Sequence, residues 1–380
     1  MAARTDTLAG LKVLDFSIFM AGPMCSRMLA DAGATVVKVE APTGDLIRQR
    51  PPMRGGTSTY FASLNCGKQS IVLDLKRPDD LATARALAGE ADVVLENFKP
   101  GVMQRLGLDF ATLSADHPRL VYLSISGFGQ RGSLAGRPAY APIIHAFSGY
   151  DVEHMKQQGP AQERPPKSGL FVADVLAAVH GFGAIQMALL HRERHGEGQH
   201  LDLSLLDGML GLMLYETQLA QFPRDVPRLL YQPLRTLDGH VMIAPVSAKN
   251  FEAMCDALGR PEWKTDARFA RVVDREQNWD ALMRLMEAWT SVRTGTDVEA
   301  ALLAADVPCT RYRGVEEALA LPHLAERGSL ERLGAGDASY VVANMPCRYS
   351  RSESRARDRV PRLGEDGAAV VREWLGREHA

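Results

Sequence analysis

One carboxylate stands out by its surroundings. In "KSGLFVADVLAAVHGFGAIQMALLHRER", Lys167 to Arg194, the stretch from Phe171 to Leu190 carries only two charge-capable side chains, Asp174 and His180. Burying a bare carboxylate is costly unless a partner or a function compensates. An aspartate in the first turn of a helix can simply answer the helix dipole. A carboxylate held beside an activated acyl group can instead act as a nucleophile and form a covalent acyl intermediate. Gly169, Ala173, Ala177 and Ala178 leave room beside it for a bulky ligand. The residues alone leave both readings open.

Other chemistry is poorly supported. His191, His195 and His200 cluster in "HRERHGEGQH", the first two at helical spacing, but Arg192 stands where a zincin needs glutamate. The segment reads as a helix end whose basic residues complement the dipole. "LSLLDG" and "PCTRY" lack the nucleophile-elbow pattern and any signature around Cys309, which reads as a core or strand residue. Five cysteines, Cys25, Cys66, Cys255, Cys309 and Cys347, are odd in number and lack metal spacing, in accord with a reducing, cytoplasmic setting.

The elements that must position these residues alternate. "KVLDFS" (Lys12–Ser17) reads as a strand, followed by a Pro23-led helix "PMCSRMLADAG" stopping at Gly33 and a second strand "TVVKVE" (Thr35–Glu40). "SIVLDLK", "DVVLENF" and "LVYLSIS" give three more strands, with "RPDDLATARALAGEA" as the helix between the first two. This predicts an α/β fold with a doubly wound parallel sheet, binding ligands outside the carboxyl ends of its strands. No GxGxxG follows the first strand, and "SGFGQRG" follows the last one and opens no helix, which argues against a nicotinamide or flavin enzyme.

"GYDVEHMKQQGPAQERPPKSG" (Gly149–Gly169) reads as an exposed loop ahead of the long apolar helix. "HLDLSL" marks a strand and the Met/Leu run after Asp207 a helix. A helix apolar on every side needs covering on every side, so an intersubunit interface is expected, with a monomer core as the alternative. "FPRDVPR" (Phe222–Arg228) reads as a linker, "YQPLRTLDGHVMIAPV" as a hairpin turning at Asp238-Gly239, and "VPCTRYR" as a later strand. The charged tail from Arg351 ends in an amphipathic helix.

With 380 residues, 46% hydrophobic, 24% charged and a net charge of −2, the chain is long enough for two domains and makes no electrostatic case for nucleic acid or membrane. No signal-like apolar core opens the sequence, and no apolar run is expected to reach the roughly 18–20 residues of a membrane span.

The chain resembles the class III CoA-transferases, a family that includes formyl-CoA transferase, the carnitine CoA-transferases and alpha-methylacyl-CoA racemase. The resemblance runs from about Leu8 to beyond Pro308. It rests on "LKVLDFSIFMAGPMCSRMLADAGATVVKVE", "LNCGKQSIVLDLK", "VVLENFKPGVMQRLGLD", "LVYLSISGFGQRG…RPAY", "SGLFVADVLAAVHG", "GQHLDLSLLDG" and "DGHVMIAP", in family order. Each is weak alone; seven in order are specific. The resemblance implies a Rossmann-like large domain from both chain ends, residues 1–222 and 321–380, and a smaller α/β domain, residues 223–320. It further implies an interlocked homodimer with the active site between subunits. By the same resemblance Asp174 is the nucleophile and Tyr140 an active-site tyrosine. Lys38, Lys76 and Arg105 become cations for the phosphates of coenzyme A, and Asn97 and Phe98 line its adenine pocket. The substrates are an acyl-CoA thioester and a carboxylic acid, with no permanently bound cofactor and no metal.

Departures shape the expected reaction. Racemase relatives carry a His-Asp pair where this chain has Tyr140 and Ala141, and a glutamate near Ser247, so both racemase bases are missing. The transferases' acidic residue after the tyrosine is Ala141 here, a glutamine four further on is His145, and Met20 replaces a glutamine of formyl-CoA transferase. Formyl-CoA/oxalate specificity is therefore not expected. Arg48, Arg54 and Arg235 are candidates for gripping a free carboxylate, as in succinate. The expected function is CoA transfer from an acyl-CoA to a carboxylic acid through aspartyl-anhydride and aspartyl-CoA intermediates. The alternatives are an acyl-CoA racemase or epimerase using Asp174 as base, and a non-enzymatic CoA-thioester-binding protein.

Overall fold

The computed structural model describes residues 5–159, 161–223, 230–245 and 247–376. Most of the expected linker at Phe222–Arg228 lies outside them. Two compact units divide the chain, one of Met1–Thr217 with His323–Ala380 and one of Gln218–Pro322.

The first unit is built on six strands, β1 (Lys12–Asp15), β2 (Thr35–Glu40), β3 (Gln69–Val72), β4 (Val93–Glu96), β5 (Val121–Ser126) and β6 (His200–Ser204). All pair in parallel in the order β3-β2-β1-β4-β5-β6. The order reverses at β1 and β4, and open α/β sheets bind ligands at such a switch point, beyond the strands' carboxyl ends. These strands are nearly continuous in apolar residues because both faces are covered. Val13, Val36, Leu95, Leu123 and Ile125 face one core, and Leu14, Val37, Ile71, Val94 and Tyr122 the other.

Six helices matter for the site: α1 (Ala21–Asp31), α2 (Pro78–Gly89), α3 (Ala141–Ser148), α4 (Tyr150–Gln157), α5 (Val172–His195) and α6 (Leu205–Leu212). Helices α1, α5 and α6 cover the first face. Helix α2 covers the second, together with the helix Gly367–Leu375 from the far end of the chain, through Val370, Val371 and Trp374. The returning segment is pinned at Asp366, whose carboxylate accepts from the backbone N–H of Ser70 at 2.8 Å. Small residues let α5 lie close to the sheet. A Cβ on Gly181 would come within 2.9 Å of Leu123 and 3.3 Å of the Cys25 sulfur on α1.

Three expectations need correction. By length and composition α5 can cross a membrane, contrary to the expected lack of any such apolar run. The structure packs Ala173, Ala177, Ala178, Ile185 and Ala188 of this helix into the core instead. The segment from Gly149 is not all loop: α4 occupies Tyr150–Gln157, with Asp151 and Glu153 in its first turn and His154 and Lys156 in its last, the arrangement the dipole favours. Its Gly/Pro-rich second half obscured it. The helix after Asp207 breaks at Met213 into α6 and a second helix, Leu214–Gln221.

The second unit sets a three-stranded antiparallel sheet, Leu234–Arg235, His240–Ile243 and Cys309–Arg311, against helices Ala248–Ala257, Trp279–Thr290 and Gly295–Ala304. Phe251, Met254, Phe269 and Met283 fill its core.

The turn from β1 into α1 is tightly packed against the start of the helix. A Cβ on Gly22 would sit 2.2 Å from the Cβ of Ser17. Gly22→Ala should therefore cost about 2–3 kcal/mol, visible as a lowered Tm in a thermal melt; a variant as stable as the parent would contradict this packing.

Candidate active site

Buried charges organise the carboxyl end of β1. Asp15 accepts from the backbone N–H and the hydroxyl of Ser17, from Ser26 Oγ at 2.5 Å, and from Lys68 Nζ at 3.1 Å. Burial alone would raise this carboxyl, but Lys68 and Lys38 beside it hold it below its ordinary value. Lys38 Nζ donates to the Ser17 carbonyl at 2.7 Å and pairs with Asp45 at 3.1 Å. Asn97, just past β4, grips Ile18 at both ends of its backbone: its Oδ1 accepts from Ile18 N at 2.9 Å and its Nδ2 donates to Ile18 O at 2.8 Å.

What this clamp presents is Phe19. Its φ is 63°, a left-handed conformation that a bulky residue holds only when its surroundings over-determine it. The Phe19 ring meets Tyr140 edge-on, with centroids 5.7 Å apart.

Two cavities open around this turn. The larger, about 890 Å³, is lined by Asp174, Tyr140, Asn97, Phe98, Tyr60 and the first residues of α1 and α3, among others. The smaller, about 430 Å³, contains Lys76, Arg105, Phe98, Glu40, Ala41 and Gly44 to Leu46 in its lining. Ile18, Phe19 and Phe98 belong to both and form their common wall. Phe98 is held by its own backbone N–H, which donates to Glu96 Oε2 at 2.8 Å.

The structure thus brings Asp174, Tyr140, Asn97 and Phe98 to one cavity, and Lys76 and Arg105 to its neighbour. Lys76 and Arg105 are exposed there, available to a phosphate. Lys38 requires correction: it is fully buried, lines neither cavity, and its ammonium is held by Asp45 and the Ser17 carbonyl. Asn97 lines the cavity, and its amide is engaged by the Ile18 backbone through one donated and one accepted bond. Arg48, Arg54 and Arg235 line neither cavity; Arg48 is locked onto Glu40 through two bonds of 2.6 and 2.8 Å. The cations in the larger cavity are Arg50, Lys99 and Arg137, none of which the sequence singled out. Tyr60 was also missed, because it sits in a short, motif-free helix, Thr59–Asn65. Burial and then the Asp174 carboxylate push its phenol up, which keeps its proton on as a donor. Ala141 is the first residue of α3, and Ser247 caps the helix Ala248–Ala257 in the second unit.

Asp174 lies in the first turn of α5. Among the described residues none makes a hydrogen bond or ion pair to its carboxylate, and burial raises it from 3.8 to about 6. The helix start therefore does not hold this acid low, as the sequence suggested; desolvation wins. At neutral pH it remains mostly ionised, desolvated and facing a cavity, the state a nucleophile needs.

Comparison with known proteins identifies the family. The chain belongs to CoA-transferase family III, whose profile matches residues 8–367. It is 34% identical to acetyl-CoA:oxalate CoA-transferase of Acetobacter aceti, over 97% of this chain and 96% of that one. It is 32% identical to succinate–glutarate CoA-transferase of Agrobacterium fabrum, over 98% and 97%. A solved CAIB/BAIF family protein from Brucella suis superposes with a TM-score of 0.85 at 34% identity, covering 98% of this chain and all of that one. The chain is accordingly an enzyme of the CoA-transferase class, with acyl-CoA thioesters as substrates.

The raised carboxyl has a stability consequence. The folded chain binds the Asp174 proton more tightly than the unfolded chain, so stability owed to this group falls as pH climbs from 3.8 to about 6 and stays lost above. Asp174→Asn should be more stable than the parent at pH 7.5, by on the order of 1–3 kcal/mol, with the gap closing near pH 4. Melting curves at the two pH values check it; a variant less stable at pH 7.5 contradicts the desolvated site.

Proposed function

We propose that this enzyme moves CoA between dicarboxylic acids through covalent intermediates on Asp174. The observation that carries the reading is the desolvated Asp174 in a cavity that shares a wall with one bearing Lys76 and Arg105. A thioester bound across that wall places its nucleotide phosphates with the exposed cations and its acyl carbon with the carboxylate.

Each step conserves an activated acyl group. An Asp174 oxygen attacks the donor's thioester carbon, forming a C–O bond, breaking C–S and releasing CoA thiolate. The thiolate attacks the aspartyl carbonyl of this mixed anhydride, giving aspartyl-CoA and the free donor acid. The acceptor carboxylate then attacks the aspartyl thioester, and the released thiolate attacks the acceptor carbonyl of the second anhydride. Acyl-CoA leaves and Asp174 is regenerated, with no net proton, water or nucleotide consumed.

Arg50, Lys99 and Arg137 outnumber Asp174 among the charged residues lining the larger cavity. That balance suits substrates with a second carboxylate, and the two curated relatives are named for oxalate, succinate and glutarate. We also read the enzyme as a homodimer, since Val179, Met187 and Leu190 leave apolar surface exposed along α5 and Leu210, Leu212 and Leu214 do so just beyond β6. Light scattering at the mass of one chain would refute that part.

The test is direct. Incubation with succinyl-CoA, quenching with hydroxylamine and peptide mass spectrometry should find Asp174 as the hydroxamate, and Asp174→Ala should lose transfer to dicarboxylic acids by at least ~10³-fold. Exchange of the α-proton with deuterated water in the absence of any acceptor acid, without labelling of Asp174, would instead establish the epimerase. Because the nucleophile must be ionised, kcat/KM should rise with pH to a plateau above about 6, the value at Asp174. A profile flat down to pH 5 contradicts the assignment.

A further inference from the structure

Helix α5 begins without a local cap. Its N-cap residue is Phe171, whose ring accepts no hydrogen bond, so the first amides of the helix need acceptors from elsewhere. Val172 N–H turns back to the Leu170 carbonyl at 3.0 Å, and Val175 N–H makes the first regular bond, to Phe171 O at 3.2 Å. Between them, Ala173 N–H donates to Nε2 of His145 at 3.1 Å. His145 comes from α3 and is only 4% exposed. Ala173 immediately precedes Asp174.

An imidazole nitrogen accepts only when it carries no proton, so this contact requires neutral His145 with its hydrogen on Nδ1. Burial favours that state, lowering the imidazole below its ordinary value against the opposing pull of Asp151. Helix α3 thus links two features of the larger cavity. Its N-cap is Tyr140, which lines that cavity, and His145 near its other end fixes the turn from which Asp174 projects.

We propose that His145 is a positioning residue for the nucleophile, a cap supplied from α3 that holds the first turn of α5 so that the Asp174 carboxylate faces the thioester carbon. The proposal rests on the Asp174 reading above and adds a residue that does not touch substrate. An acceptor lost here leaves a buried N–H unpaired and frees the turn, and small misplacements of a reacting group are felt mainly in the chemical step. His145→Phe fills similar space with no acceptor, whereas His145→Gln restores one through its amide oxygen.

Three measurements decide it: steady-state kinetics with succinyl-CoA and a dicarboxylic acid, the rate of hydroxylamine-trapped Asp174 labelling, and Tm. H145F should lose on the order of 10- to 100-fold in kcat and in the labelling rate, with KM for succinyl-CoA within about twofold. H145Q should stay within about threefold of the parent in both. If H145F does not fold, His145→Asn, whose shorter amide falls short of Ala173, takes its place in the same comparison. Wild-type labelling of Asp174 combined with undiminished labelling in H145F overturns the role of His145 alone. So does an H145Q as slow as H145F, or a rise in KM matching the loss in kcat. Absence of labelling in the wild-type enzyme instead removes the nucleophile reading itself.

Discussion

Lys68 has no access to solvent, and its ammonium is divided among three acceptors: Asn65 Oδ1 at 2.8 Å, the Pro23 carbonyl at 2.9 Å and Asp15 at 3.1 Å. Burial pushes this lysine down to about 8, against the pull of Asp15. A buried ion pair contributes little net stability, yet removing one partner strands a charge in the interior. What the pair does here is fix geometry. Asp15 ends β1, Pro23 and Ser26 lie in α1, and Asn65 and Lys68 lead into β3. Three segments are therefore tied at one point directly beneath the turn that carries Phe19. Both cavities take their common wall from that turn, so their shape depends on a buried ion pair, Asp15 and Lys68, that lines neither of them.

The two aspartates of the site show how environment divides one chemistry into two roles. Asp15 is buried more deeply than Asp174, but two lysines and two hydroxyls stabilise its charge. Asp174 receives no such support and its proton affinity rises. The first is a structural anion whose reactivity is suppressed by its partners. The second keeps its electron pairs uncommitted, at the expense of stability, where a substrate can reach them. Placing it on a long helix packed into the core gives that carboxylate a rigid base.

Much of this was legible in the sequence where the signal is local. The strands show as β-branched runs, and an isolated carboxylate in an apolar helix marks Asp174 without any coordinates. What was not legible depends on three-dimensional partners. Lys38 and Asn97 have the right types for phosphate and base recognition, but Lys38 is turned inward by Asp45, seven residues away on a loop, and the Asn97 amide is engaged by Ile18, far off in sequence. Arg48 was read as a free cation because its partner, Glu40, belongs to a strand whose pattern announces only burial. The cap from His145 to Ala173 joins residues 28 apart, and no periodicity reports such a contact. Tyr60 sits in a short helix outside the family motifs, and Arg137, although it opens the "RPAY" motif, carries no local sign of its position; both became visible as site residues only once the cavity had walls.

The shared wall of Ile18, Phe19 and Phe98 has a kinetic implication. In the proposed cycle CoA is cleaved from its acyl group twice and must return both times. A nucleotide anchored by Lys76 and Arg105 keeps the sulfur leashed, at a local concentration on the order of millimolar or more. Recapture of the anhydride then competes well against water, whereas a CoA free to diffuse away would leave an acylated enzyme, which water would turn back into free enzyme and a spent acid. Weakening the grip on the far end of the molecule should therefore show itself as leakage, a transferase that wastes thioesters by hydrolysis, before it shows as a slower transferase.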